Sequence, residues 1–283
     1  MKTKAVRLYG KMDLRMEEFE LPPIEEGEIL AYVVSDSICM SSYKATSQGA
    51  DHKRVPNDVA DNPVIIGHEF CGYIVEVGAK WQDQFKPGDK FVIQPALNYK
   101  GSLFSPGYSY PHIGGDATYV VIPEEVMLCG CLLPYDGDAF FYGSLTEPMS
   151  CIVGGFHANY HGKPGVYEHT MGCKPRGNMA ILAGAGPMGL GCADYAIHGG
   201  NPPKLLVITD IDEARLARAA QLTTVADAAA NGVKLVYMNT NAVGDPVEAI
   251  RALTDGEGFD DVFVYAPVKP VVEMGDALLA RDG

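Results

Sequence analysis

The sequence predicts an α/β chain in two parts: a small β-barrel over residues 1–155 and a doubly wound parallel sheet over 178–283, with 156–177 connecting them. Three observations carry this. Short runs of β-forming residues, punctuated by Gly and Pro, fill the first part. A continuous apolar run at 179–183 leads into Gly184-Ala185-Gly186-Pro187-Met188-Gly189 and a helical pattern. Beyond it strand and helix alternate, as parallel sheets require.

Taken in order, residues 5–8 and 29–34 have strand composition, with a Pro-Pro and Glu-Gly turn between them. Residues 63–66 form a buried-looking run before Gly67-His68-Glu69. A strand-like alternation follows, with Tyr73, Val75 and Val77 expected on one face. Turns at 85–89 and 114–116 feed two more strands, and 98–112 reads as an ordered surface loop. Residues 154–177 have no clear period. The next helix puts Met188, Cys192 and Tyr195 on one face, and residues 205–209 form a strand ending at Asp210. Residues 213–222 read as a helix with Leu216, Ala219 and Ala220 inward, followed by a strand at 233–238. Asp245 is an N-cap, with Pro246 first in its helix and Glu248 completing a capping box. A strand at 261–265, a helix at 271–280 and a turn at 281–283 close the sequence. A six-strand dinucleotide fold is about two-thirds complete there, which predicts a chain truncated at its C-terminus.

The composition is that of a globular chain with ample material for a core, with 283 residues, 47% apolar and 20% charged. The net charge of −14 disfavours nucleic-acid and anionic-membrane partners, which need clustered Lys and Arg. No apolar run approaches the ~18 residues of a membrane helix, and the start has no signal-peptide-like stretch. Seven cysteines without a Cys-x-x-Cys pair read as reduced thiols, mostly packed in the core. These features predict a cytoplasmic protein.

Two constellations carry chemistry. In Gly-x-Gly-x-x-Gly, Gly184 makes the tight turn, Gly186 lets backbone approach a pyrophosphate, and Gly189 packs helix on strand. Pro187 and Met188 open the helix, whose N–H groups suit phosphate oxygens. Asp210 stands near the offset of the carboxylate that binds adenosine ribose, favouring NAD, with NADP the alternative. Arg215, one helical turn on, either pairs with Asp210 or lines the adenosine pocket. The second constellation is a set of zinc donors, Cys39, His68, Glu69 and Glu147, which count together or not at all. His52, His112, His157, His161, His169 and His198 have no ligand spacing and read as surface or hydrogen-bonded residues. Lys44, Lys53 and Arg54 cluster in an acidic chain, as a solvated loop or a phosphate clamp.

Gly67-His68-Glu69, Val75-Glu76-Val77-Gly78, Lys86-Pro87-Gly88-Asp89, Ala117-Thr118-Tyr119-Val120 and the 184–189 turn occur in an order that resembles the medium-chain, zinc-dependent alcohol dehydrogenases. The likeness is greatest to their sorbitol dehydrogenase branch and, within it, to L-sorbose 1-phosphate reductases. The resemblance implies a GroES-like catalytic domain, a Rossmann domain and one catalytic zinc. It makes Cys39 and His68 zinc ligands, Glu69 a ligand or an exchangeable neighbour, and Glu147 a ligand directly or through water. Ser41 matches the hydroxyl that passes the substrate proton. The family's Asp after that serine is Ser42 here, and its relay His is Lys44. The stretch that would hold a structural zinc has no cysteine. The implied reaction moves a hydride between NAD(P)(H) and a polyol, ketose or sugar phosphate, and the segment beyond 283 would supply a homo-oligomer interface. The competing readings are a zinc-free reductase of the quinone-reductase kind and a truncated nucleotide- or metal-binding chain without turnover.

Overall fold

The computed structural model describes residues 1–163, 165–281 and 283. Asp282, in the expected final turn, and Pro164, in the connecting segment, lie outside the described residues. The chain forms two compact units, Met1–Pro148 and Met149–Gly283.

The first unit has eight strands: β1 (Lys2–Gly10), β2 (Asp13–Glu20), β3 (Ile29–Asp36), β4 (Val64–Ile65), β5 (Phe70–Val77), β6 (Lys90–Ile93), β7 (Tyr119–Ile122) and β8 (Leu132–Pro134). β1 pairs antiparallel with β2 and β4; the other five form a sheet in the order β7-β3-β5-β6-β8, every pairing antiparallel. The main core lies on the five-stranded sheet and is built from Ile29, Ala31, Phe70, Ile74, Phe91, Val120 and Ile122. Each of the Ile, Val and Phe side chains contributes about 1.5–3 kcal/mol when fully removed from water.

The expected Tyr73-Val75-Val77 face does not form. Against β3, the β5 register skips from Ile74 to Glu76, leaving Val75 as the extra residue of a bulge. A one-residue insertion reverses the side-chain alternation. Val77 therefore joins Ile74 in the main core, while Val75 packs on Leu30 and Val121 and Tyr73 stays exposed.

Three helices follow in this unit: α1 (Met40–Gln48), α2 (Glu124–Leu128) and α3 (Phe140–Ser144). Met40-Ser41-Ser42, which reads as a turn in sequence, is the first turn of α1. The 98–112 loop is only partly on the surface: Ser105 to Ser109 are buried. The division between units falls within α4 (Thr146–Ala158).

In the second unit the unassigned segment holds an antiparallel hairpin, β9 (Tyr160–Lys163) with β10 (Val166–Met171). Then come β11 (Asn178–Leu182), α5 (Pro187–His198), β12 (Leu205–Asp210), α6 (Glu213–Leu222), α7 (Val225–Ala230), β13 (Lys234–Asn239), α8 (Pro246–Arg251), β14 (Asp261–Val264) and α9 (Lys269–Leu278). The sheet is parallel, in the order β13-β12-β11-β14. Every residue of β11 and β12 is buried. Met179 and Ile181 face Cys192, Ala193 and Ala196 of α5, whereas Ala180 and Leu182 face Ile250 of α8 and Leu278 of α9. A sheet covered on both faces explains the continuous apolar strands. Met188, Cys192 and Tyr195 share one cluster as expected. In α6, Leu216 and Ala219 are buried but Ala220 is exposed, a correction of one position on the inward face. The Asp245 side chain accepts from Glu248 N at 3.0 Å.

Candidate metal centre and dinucleotide turn

Cys39 caps the N-terminus of α1 in an extended conformation, its Sγ accepting from Ser41 N. Cap geometry thus fixes both Cys39 and Ser41 at one helix end. His68 and Glu69 precede β5, so the pairing of β3 with β5 carries them to Cys39. Donor atoms of Cys39, His68 and Glu69 lie within 4.8 Å of one another. His68 and Glu69 are buried, at 4% and 5% exposure, in a region where isolated charges are costly.

The surrounding contacts orient these donors. His68 Nδ1 lies 3.1 Å from Ser42 Oγ, so Ser42 takes the supporting position of the family's aspartate. His68 Nε2 lies 3.1 Å from Tyr108 Oη and 3.5 Å from Ser41 Oγ. With the proton on Nδ1, Nε2 accepts the Tyr108 hydroxyl, and both ring nitrogens are satisfied. Glu69 N donates to Asp36 Oδ1 at 3.0 Å, and Ser37 Oγ donates to Glu69 Oε2 at 2.5 Å. Ser41 Oγ is 2.8 Å from Cys39 Sγ.

Burial lowers the His68 pKa to about 4 despite the Glu69 charge, keeping the imidazole neutral and ligand-competent. Burial likewise raises the Cys39 thiol, with the Glu69 charge adding to the rise. A thiolate at this position calls for a cation. One soft sulfur, one imidazole and one carboxylate, converging on a shared point, fit zinc. Glu147 is not a member of this three-donor cluster; it lines the same cavity of about 290 Å³ as Ser41, Lys44, His68 and Tyr108.

Sequence reasoning missed Tyr108. Gly107 places it: its φ is +76°, and a Cβ there would lie 2.0 Å from Gly67 O. Only glycine allows the 105–109 segment to lie against Gly67-His68. A Gly-Tyr step within a loop rich in Gly, Tyr, Ser and Pro was the available signal.

In the second unit the glycine turn joins β11 to α5. Gly186 caps α5 with Pro187 next, and a Cβ on Gly186 would meet no atom within 4 Å. A Cβ on Gly189 would lie 2.1 Å from Gly184 O, so helix and strand touch there through backbone. Asp210 Oδ2 accepts from Ala185 N at 3.2 Å, and Oδ1 from Ile211 N at 2.9 Å. The carboxylate is thereby fixed beside the turn. Arg215 pairs with Asp212 at 3.8 Å instead of Asp210, since both lie on the exposed first turn of α6. An open space above Gly186, a helix N-terminus and a fixed carboxylate fit a dinucleotide.

An antiparallel barrel holding zinc donors, followed by a parallel sheet with a dinucleotide turn, defines a class of oxidoreductase folds. Residues 25–130 match the alcohol dehydrogenase GroES-like domain. The chain is 51% identical over 281 residues to a mannitol-1-phosphate 5-dehydrogenase of Aliivibrio fischeri, covering 99% of this chain and 66% of that protein. It is 50% identical over 281 residues to an L-sorbose 1-phosphate reductase of Klebsiella pneumoniae, covering 99% and 67%. It thus spans about two thirds of these relatives' length. Among solved structures, a 2R,3R-butanediol dehydrogenase from Bacillus subtilis superposes with a TM-score of 0.74 at 22% identity, covering 98% of this chain and 74% of that one. The chain belongs to the medium-chain, zinc-dependent alcohol dehydrogenase family.

Proposed function

We propose that this chain carries the catalytic zinc and coenzyme sites of a dehydrogenase that moves a hydride between NAD(H) and a polyol or its ketose, in phosphorylated form. The observation that carries the reading is the convergence of Cys39, His68 and Glu69 beside the Ser41 hydroxyl. The names of the two sugar-phosphate relatives support the substrate class.

Bound at these donors, zinc supplies Lewis acidity that polarises a carbonyl or stabilises an alkoxide. Cys39, His68 and Glu69 hold it, with Glu147 completing the set directly or through water. Ser42 and Ser37 orient two of those ligands. Ser41 Oγ passes the substrate proton, and the Lys44 ammonium lines the same cavity where the family resemblance implies a relay His. Gly184, Gly186, Pro187, Met188 and Gly189 cradle the pyrophosphate, while Asp210 accepts the adenosine ribose hydroxyls. That carboxylate disfavours a 2′-phosphate, so NAD is preferred over NADP, and Arg215 borders the adenosine. One zinc is expected per chain, in a cytoplasmic protein.

Elemental analysis together with NAD(P)H oxidation on a panel of ketoses and ketose phosphates tests this. About one zinc per chain, lost in Cys39→Ser along with turnover, is the expected result. Turnover that persists without zinc selects the zinc-free reductase; nucleotide binding without turnover selects a non-enzymatic chain.

A further inference from the structure

The cavity that reaches Ser41 and His68 is also lined by Lys44, His52, Lys53 and Arg54. Such a concentration of positive charge is unexpected in a chain of net charge −14. The ion pairs among the described residues engage other lysines and arginines, and none of these three. Arg54 is held in place: its Nη1 donates to Ser105 Oγ, its carbonyl accepts from Ser109 Oγ at 2.6 Å, and its guanidinium lies 5.6 Å from the Tyr108 ring centroid. His52 is buried and stacks on that same ring at 5.8 Å. Tyr108 therefore touches both the cationic wall and His68, whose ring centroid is 4.7 Å away. Burial first, then the charges of Lys44, Arg54 and Lys53, hold the His52 ring below its usual pKa, as expected where those charges converge.

We infer that Lys44, Lys53 and Arg54 bind the phosphate group of the substrate, fixing its distance from the reacting carbon at the metal donors. The inference rests on the function proposed above and adds which residues read the phosphate. A phosphate monoester carries about −1.5 to −2 charges at neutral pH and offers three acceptor oxygens, matching an ammonium pair and a guanidinium. Lys53 is exposed at the rim, whereas Arg54 is half-buried and pre-positioned by Ser105. The site thus combines one rigid donor with two adjustable ones.

The test is calorimetric titration of inorganic phosphate into the zinc-loaded chain, with the kcat/KM ratio for mannitol 1-phosphate against mannitol as a second readout. One phosphate should bind. Lys53→Met should weaken it roughly 10- to 100-fold, the loss of one charge-assisted contact, and lower the kcat/KM ratio by a similar factor. Lys80→Met, which removes a surface partner of Glu124, serves as the charge control and should change neither. Lys53→Met/Arg54→Gln should abolish binding; if that variant does not fold, Lys53→Met alone decides. Failure of the wild type to bind phosphate, or undiminished binding in Lys53→Met, overturns the inference. Phosphate that stays on the metal gives this second result. Absence of hydride transfer on every substrate overturns the proposed function instead, and the titration still decides this one.

Discussion

Tyr108 Oη caps His68 Nε2, the lone pair that faces Cys39 and Ser41. A metal at the three donors competes with that hydrogen bond. Tyr108→Phe should therefore cost the metal-free protein about 1 kcal/mol and raise apparent zinc affinity about fivefold, as denaturation and chelator competition would measure. Ser42→Ala has the opposite sign. Loss of the Nδ1 partner should weaken zinc about 10- to 100-fold, and equal affinity in the variant would remove Ser42 from the supporting role. These residues differ in how readable they were. Cys39, His68 and Glu69, which the structure brings together, were candidates because donor chemistry is a property of residue type, and the family resemblance joined them as ligands. Ser42 was visible only as a departure from the family, and Tyr108 not at all, because its role depends on a left-handed glycine that lets one loop touch another.

At the scale of elements, α5 and β11 meet through the glycines of the turn. Gly189→Ala forces a Cβ against Gly184 O and should destabilise the second unit by about 1–3 kcal/mol or more. Gly186→Ala meets open space, so its melting temperature should stay near wild type while NAD affinity falls. If both variants melt alike, the turn has been misread. β14 adds a pH-dependent tie. Asp260 accepts from Asn178 N at 2.7 Å and from Lys174 Nζ, linking the start of β14 to the start of β11. Burial raises its pKa, but the Lys174 and Asn178 contacts outweigh that and hold the carboxyl below its usual range. A depressed folded pKa means that the stabilisation is complete above the unfolded value, near 4, and is lost as pH falls through the folded value. Asp260→Asn should flatten this acid limb in denaturant titrations between about pH 2 and pH 6. Legibility followed the same division. β11, β12 and α6 were placed within a residue or two because a doubly covered sheet and its helices write their burial into the sequence. The β5 bulge, the α1 start and the β9–β10 hairpin were not, since each depends on partners distant in sequence or on a side-chain cap.

Across the whole molecule, each compact unit has cores of its own, the first built around Phe70, Ile74 and Phe91 and the second around both faces of β11. No helix among the described residues is long and apolar enough to cross a membrane. Chelation should remove bound zinc without altering far-UV circular dichroism, because these cores do not depend on the donor cluster for their burial. Loss of secondary structure on chelation would show that the metal is part of the fold. The capped histidine gives that independence a cellular meaning. In zinc-finger domains folding and metal capture are one event; a fold that survives chelation would instead keep its donors in place, with His68 Nε2 bonded to Tyr108, until an ion arrives. Occupancy would then follow supply, and scarcity would leave a reserve of intact molecules that regain their metal without refolding.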